Sequence, residues 1–439
     1  MIKQPVIILL ALYFFVNPAQ AQQTQDSTLT AATLNECVQY ALTHQPRIQQ
    51  SLIDEQIVDA NIKTKLSEWY PQLNLDYSLQ HYFKTPVSVI NGTPVSTAPK
   101  NFSTAYFSAT QNIFNRDVLL ASQTAKNVRT EASQLTTNNK IYLTLNVSKA
   151  FYDVLLSQQQ IDLVDQDIAR LSRSVRDAYN QYKAGIVDKT DYKRAQILLN
   201  NAQAQKKQYA EAVKSKFSIL KLLMGYPQSE SFSLVYDSVQ LKNEIFIDTL
   251  QQVNYETRIE YQILKTDQSL LQANLKYYKW GFIPNISAFG NYNFYYANNE
   301  FSKLYKNDFP SSYVGISLGF PIFQGFKRTS QIRSAQLTLD RLQYNFQSLR
   351  DSIQSEYTQT LAAYKSVFND YNVQRENLDL ANDVYNTINL QYKAGVKTYL
   401  EVIVAESDLR AAQVNYLNAL YEVLSSKLDV QKALGILTY

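Results

Sequence analysis

His44, His81 and Cys37 are the side chains of this sequence with the widest chemical range. None stands where catalysis or metal binding would need it. A zinc site draws its ligands in closely spaced pairs, and Cys37 has no cysteine or histidine partner at such a spacing. His44 falls in a helical pattern, His81 in an alternating strand pattern, and no glycine-rich phosphate loop accompanies either. The chain therefore reads as a non-enzyme without cofactor or metal. What recurs instead is Gln181-Tyr182-Lys183-Ala184-Gly185, which returns as Gln391-Tyr392-Lys393-Ala394-Gly395. That repetition turns attention to the elements carrying it.

The two pentapeptides lie 210 residues apart, and at the same offset Leu199 matches Leu409, Ala202-Gln203 matches Ala412-Gln413, and Gly225 matches Gly435. Upstream, Arg47-Ile48 parallels Arg258-Ile259, Ala60-Asn61 parallels Ala273-Asn274, and Pro71 parallels Pro284. The chain is a tandem duplication. Its expected divisions are a leader over 1–21, a first repeat over 22–225, a linker over 226–248 and a second repeat over 249–439. The leader follows from Lys3, the apolar run Val6 to Val16, Pro18 and the small-residue site Ala19-Gln20-Ala21. That run is shorter than the roughly 20 residues a transmembrane helix needs.

Lys3 leaves with the leader, so 42 basic side chains become 41 against 38 acidic ones, a formal charge of +3. Such a balance gives no reason to propose nucleic acid. A lone cysteine excludes an internal disulfide, so packing and assembly must hold the exported chain together. Tyrosine is abundant, at 33 residues against two Trp, and suits both lipid–water boundaries and helix interfaces. Glycine and proline are absent from 100–184, 186–224, 228–280 and 326–394, so most of the chain is long helix.

Each repeat is expected to run helix, strand, strand, very long helix, tight turn, helix. The first has helix over Leu34 to Ser67, strands near 73–83 and 102–114, and helices from about Val118 to Tyr182 and Asp191 to Met224. The second has the matching pieces at Thr249 to Lys279, 285–296, 313–323, Lys327 to Tyr392 and Tyr399 to Leu434. In the last helix Val402, Leu409, Tyr416, Val423, Val430 and Leu437 recur seven apart. A second stripe, Leu400, Val414, Tyr421 and Leu428 with Leu417 and Leu424, lies on an adjacent face, which implies neighbours on both sides, as in a ring of coiled helices.

The strands alternate. Leu73, Leu75, Tyr77 and Leu79 oppose Asn74, Asp76, Ser78 and Gln80, and Val314, Ile316, Leu318, Phe320 and Ile322 oppose Gly315, Ser317, Gly319 and Pro321. Ile286, Ala288, Tyr292 and Phe294 form a third apolar face, while Gln111 interrupts a fourth. No other sheet exists to cover these faces, and lipid can. Four strands cannot close a membrane barrel, and open edges in lipid leave backbone groups unpaired, so copies must join. A dimer with eight strands and a trimer with twelve both satisfy that requirement.

In this order and duplication the chain resembles the TolC-like outer-membrane factor family. Leu34 to Leu42 with Pro46 resembles its opening helix, and Tyr392-Lys393-Ala394-Gly395-Val396 with Lys432-Ala433-Leu434-Gly435 resembles its repeat ends. The resemblance implies a mostly α protomer with membrane β, a homotrimer, a twelve-stranded β-barrel in outer-membrane lipid, and a long α-helical barrel in the periplasm. It also implies a Gram-negative outer-membrane channel for tripartite efflux or type I secretion, docked on a periplasmic adaptor (membrane fusion protein). An inner-membrane RND, ABC or MFS pump would supply energy through that adaptor. The competing readings are a periplasmic adaptor and a structural coiled-coil envelope protein, but the first lacks a duplicated helix and strand plan and the second lacks alternating strands.

In that family the periplasmic tip closes on acidic residues held by bonds around the tip turns. Six residues past Gly185 and Gly395 stand Asp191 and Glu401, which in a trimer would form acidic rings, with Tyr392 and Lys397 at the latch positions. Gly185, Gly395, Lys183, Lys393 and Val396 would meet the adaptor. Val404 departs from the family pattern, where a second acid is common. The alternative for Asp191 and Glu401 is a first-turn acid favoured by the helix dipole.

Overall fold

A computed structural model describes residues 29–236, 241 and 244–438, so the expected leader lies outside them. The first repeat opens with β1 (Ala31–Ala32) and α1 (Leu34–His44), whose start is fixed by reciprocal bonds between Thr33 and Glu36. The single helix expected over Leu34 to Ser67 is in fact two, α1 and α2 (Pro46–Leu66). Gln45 precedes a proline and sits extended at φ −66° and ψ 122°; its side-chain oxygen accepts from the N–H groups of Arg47 and Ile48 and so caps α2.

Then come β2 (Gln72–His81), β3 (Val87–Ile90), β4 (Thr93–Ser96) and β5 (Asn101–Phe114). The β3–β4 pair is a small hairpin inside what reads as a plain loop, turning on Asn91 and Gly92 at φ 52° and 78°. The helices α3 (Arg116–Lys183) and α4 (Lys189–Met224) complete the repeat. Residues 226–248 do more than link: β6 (Ser233–Leu234) pairs parallel with β1, and Tyr226, Phe232, Leu241 and Ile245 enter the main core.

The second repeat holds α5 (Ile259–Lys279), β7 (Asn285–Asn298), β8 (Ser311–Gly319), α6 (Lys327–Lys393) and α7 (Tyr399–Leu434). Two expectations fail here. Helix was expected from Thr249, but it begins at Ile259, because side chains claim the preceding backbone. The Tyr357 hydroxyl donates to Gln251 O at 2.6 Å, and Asn254 caps a short turn at Glu256 N at 3.0 Å. The last strand stops at Gly319 instead of 323: its register ends at Gly319 opposite Asn285, and Pro321 has no N–H to extend the ladder.

At 68 and 67 residues, α3 and α6 each reach roughly 100 Å. They run beside α4 and α7, and α3 also packs on α7, α2 and α5. In α7 the first stripe, Val402, Leu409, Val423 and Val430, is buried, while Leu400 of the second stripe is exposed. Tyr357, Tyr364 and Tyr371 bring α6 into the same core at heptad spacing.

The four long strands form one antiparallel sheet in the order β2-β5-β7-β8, so the hairpins of the two repeats join at its centre and β2 and β8 each keep a free edge. Its register puts Leu73, Leu75, Phe107, Tyr292, Val314 and Ile316 on one face. Val314 is 87% exposed and Ile316 72%, a bare apolar wall. Asn74, Asp76, Ser108, Asn291 and Ser317 share the opposite face. The irregularity at Gln111 lies beside a bulge between Asn112 and Phe114, where Asn112 Nδ2 turns to donate to Glu68 O at 2.9 Å.

Candidate functional site: the paired helical tips

Both long hairpins end in the same backbone device. Ile186 N donates to Gln181 O at 2.9 Å and Gly185 N to Tyr182 O at 3.0 Å; Val396 N and Gly395 N repeat this with Gln391 O and Tyr392 O, both at 2.9 Å. These are Schellman closures, which need a left-handed residue, and Gly185 and Gly395 supply it at φ 75° and 79°. The recurring glycine is thereby explained. The closure also presents Ile186 and Val396, 74% and 72% exposed, at the tips beside exposed Lys183 and Lys393. Sequence reading named Val396 and missed Ile186, although the repeat offset pairs them.

The next helices start differently. α7 opens with a capping box: Glu401 accepts from Thr398 N at 2.9 Å and from Thr398 Oγ1 at 3.0 Å, and Lys397 Nζ lies 2.6 Å away. Lys397 and the Thr398 donors hold the Glu401 carboxyl down at about 2. In α4, Asp188 is its own cap, accepting from Thr190 N at 2.8 Å, which lowers the Asp188 carboxyl. Val187 occupies the position of Lys397, and the half-buried Asp191 has neither ion pair nor side-chain hydrogen bond among the described residues. The structure thus joins Lys397 to Glu401 and leaves Asp191 apart.

Tyr392 reaches across the repeats, its hydroxyl donating to Gln181 Oε1 at 3.4 Å, and its ring lies 5.8 Å from that of Tyr399. Burial pushes the Tyr399 hydroxyl up to about 12. Tyr179 and Tyr192 pair at 5.2 Å in the first repeat, with Lys183 over the Tyr179 ring. Tyrosine therefore fastens each tip.

Above the tips lies a charged cluster that sequence reading missed. Asp167 of α3 is 1% exposed and Glu406 of α7 5%. Arg170 contacts Asp167 and donates from Nε to Glu406 Oε1 at 3.3 Å. Arg410 Nε stands 2.8 Å from Asp167 Oδ2, an ion pair without hydrogen-bond alignment. Burial raises the Glu406 carboxyl, with the two arginines opposing it. The available signal was spacing: Glu406 interrupts the heptad series Val402, Leu409, and Asp167 the series Val164, Leu171.

No described group of His, Cys, Asp or Glu can hold a metal. Cys37 is fully buried and its thiol is pushed up to about 12, which makes it inert.

Comparison with known proteins agrees. Outer membrane protein TolC of Vibrio cholerae is 21% identical over 442 residues, covering 94% of this chain and 93% of that protein. Among solved structures, VceC of Vibrio cholerae superposes with a TM-score of 0.69 at 15% identity, covering 92% of this chain and 96% of its own. The CmeC outer membrane channel of Campylobacter jejuni gives 0.71 at 15% identity, covering 92% of this chain and 85% of that one. These likenesses show the fold. The family match spans residues 37–226 and 263–436, one segment per repeat, and the chain belongs to the outer membrane efflux protein family, channels and not enzymes.

Proposed function

We propose that three copies of this outer-membrane channel chain close a twelve-stranded barrel continued by a helical conduit into the periplasm. The single observation carrying the reading is a four-stranded sheet with one bare apolar face and two free edges, continuous with helices of 68 and 67 residues. The free edge of β8 would pair with the β2 edge of the next copy, a head-to-tail contact that closes into a ring. Two unpartnered helix faces support that contact. On α2, Gln50, Ile53, Ile57, Ala60 and Thr64 are exposed at heptad spacing; on α6, Ser330, Ser334, Leu337, Arg341, Tyr344 and Ser348 are exposed at the same spacing.

The tips form the gate and the partner surface. Three copies of Asp191 and Glu401 line the closed end, Tyr392 and Lys397 hold it, and Gly185, Gly395, Ile186, Val396, Lys183 and Lys393 meet a periplasmic adaptor. An inner-membrane RND, ABC or MFS pump drives transport through that adaptor, the chain itself being a passive duct. Residues 1–21 direct export.

Single-channel recording of the detergent-purified mature protein in a planar bilayer tests this. Small, cation-selective steps are expected. Unchanged ion selectivity in an Asp191→Asn, Glu401→Gln double variant would remove the gate assignment, and absence of membrane insertion would remove the barrel. Adaptor cross-linking that survives Gly395→Trp would remove the tip contact.

A further inference from the structure

At the strand ends remote from the helices, residues 299–310 fold back over the apolar face of the sheet. A two-turn 3-10 segment, Phe301–Lys306, buries Leu304 to 1% exposure. The Tyr305 hydroxyl lies 3.0 Å from the Tyr77 hydroxyl and 3.4 Å from Ser103 Oγ, and its ring is 5.2 Å from that of Tyr296. Tyr77, Ser103 and Tyr296 belong to the face that carries Leu73 and Leu75, so the strap crosses β2, β5 and β7 on their apolar side. It is fastened at several points. Asn298 Nδ2 donates to Lys303 O at 3.2 Å, Phe309 N to Tyr295 O at 2.7 Å, and Lys100 N to Asn299 Oδ1 at 3.1 Å. Buried Asn101 donates to Asn298 O at 3.0 Å and Asn299 O at 3.1 Å.

The strap interleaves aromatic and basic side chains. Phe301, Tyr305 and Phe309 are exposed, and so are Lys100, Lys303 and Lys306. Glu300 is paired with Lys303 at 2.6 Å, while Lys100 and Lys306 have no acidic partner among the described residues. Asp308 is the other acid, and its backbone bridges to Tyr296. Exposed aromatic rings interleaved with exposed lysines match the boundary between acyl chains and headgroups. A soluble partner cannot reach a strap on the lipid side of the wall. Anionic groups at that depth are lipid phosphates.

We propose that this strap docks the phosphate groups of an outer-leaflet glycolipid, with Tyr305, Phe301 and Phe309 at the acyl boundary and Lys100 and Lys306, helped by Lys303, on the phosphates. The proposal rests on the sheet being a membrane wall, and it does not depend on the gate. Two lysines without acidic partners predict roughly a thirtyfold preference for phosphorylated over dephosphorylated lipid.

The test uses the assembled full-length mature channel in phosphatidylcholine nanodiscs doped with bisphosphorylated lipid A or its dephosphorylated form, retained lipid being counted by native mass spectrometry. Wild type is expected to retain the phosphorylated form about thirtyfold better, and a Lys100→Gln, Lys303→Gln, Lys306→Gln variant to lose that preference while keeping wild-type conductance. Lys306→Glu alone is expected to lose at least fivefold. Equal retention of the two lipids by wild type overturns the proposal, as does an unchanged preference in the variants. Displacement of the lipid by millimolar inorganic phosphate would reveal a free-anion site and also overturn it. Loss of conductance in wild type would instead strike the channel reading.

Discussion

Replacing Asp167 with alanine is expected to loosen the joint between α3 and α7 by about 3 kcal/mol, the low end of the cost of breaking a buried ion pair. The structure sets the size. Asp167 is 1% exposed and serves two arginines, but Arg170 keeps Glu406 at 3.3 Å after the change. Only Arg410 loses its counter-ion, and its side chain is 20% exposed, so water recovers part of the penalty. Local opening is the right observable, since a membrane assembly need not unfold reversibly. Amide hydrogen exchange in 160–175 and 402–412, in the regime where opening is an equilibrium, is expected to quicken roughly a hundredfold. The paired change Asp167→Leu, Arg410→Met removes both charges and is expected to restore wild-type protection or exceed it. An exchange change within threefold for Asp167→Ala, or a pair that protects less than the single, would refute the reasoning.

Glycines at the repeat ends should respond unequally. A Cβ on Gly225 would stand 2.8 Å from His44 O at φ 70°, whereas one on Gly185 meets nothing within 4 Å; Gly185→Ala then costs about 1 to 2 kcal/mol from the left-handed backbone alone and Gly225→Ala clearly more, read as relative thermal inactivation rates. On the wall, Ile316→Lys is expected to lower folding into lipid vesicles by about 2 to 4 kcal/mol while Ser317→Lys, on the wet face, is tolerated. Equal folding yields would contradict the assignment of faces. At the tip, Glu401 titrates at about 2 when folded against an ordinary 4.5, so its support of α7 is complete above 4.5 and lost as pH falls through 2. Exchange protection of 399–404, corrected for intrinsic rates, will show that fall in wild type, and Glu401→Gln will lack it. In channel recordings, Asp191→Asn is expected to reduce cation selectivity more than Glu401→Gln does.

Much of the fold was legible because the duplication prints it twice. Helices without glycine or proline, strands of period two, and turns at Gly185 and Gly395 are each local signals. What escaped was set by distant partners. Helix over 249–258 looks as permissible as helix over 34–44, yet the Tyr357 hydroxyl and Asn254 take the backbone there. Pro46 and Pro321 were visible, and their effect on Gln45 and on the end of β8 was underweighted. At the tips, the repeat offset pointed to Glu401 and the family resemblance to Lys397, but the link from Tyr392 to Gln181 joins side chains 211 positions apart and has no local trace. The buried cluster was missed because attention to apolar stripes passes over the charges inside them.

The duplication also explains why the two candidate gate acids differ. Each stands three residues after a helix N-cap, so backbone position alone would make them equal. Their caps decide otherwise. Thr398 supplies a hydroxyl, which draws Glu401 back into the capping box, and Lys397 adds a cation 2.6 Å away. A carboxylate surrounded by those donors projects little field beyond its own turn. Asp188 caps α4 with its own carboxylate, and Val187 brings no cation, so Asp191 is released from capping. An unpaired acid near a water-filled axis attracts cations more strongly than a paired one. In the proposed trimer the first repeat would therefore supply the charge of the closed tip, while the second would supply fastening through Lys397 and through Tyr392, which donates to Gln181 of the first repeat.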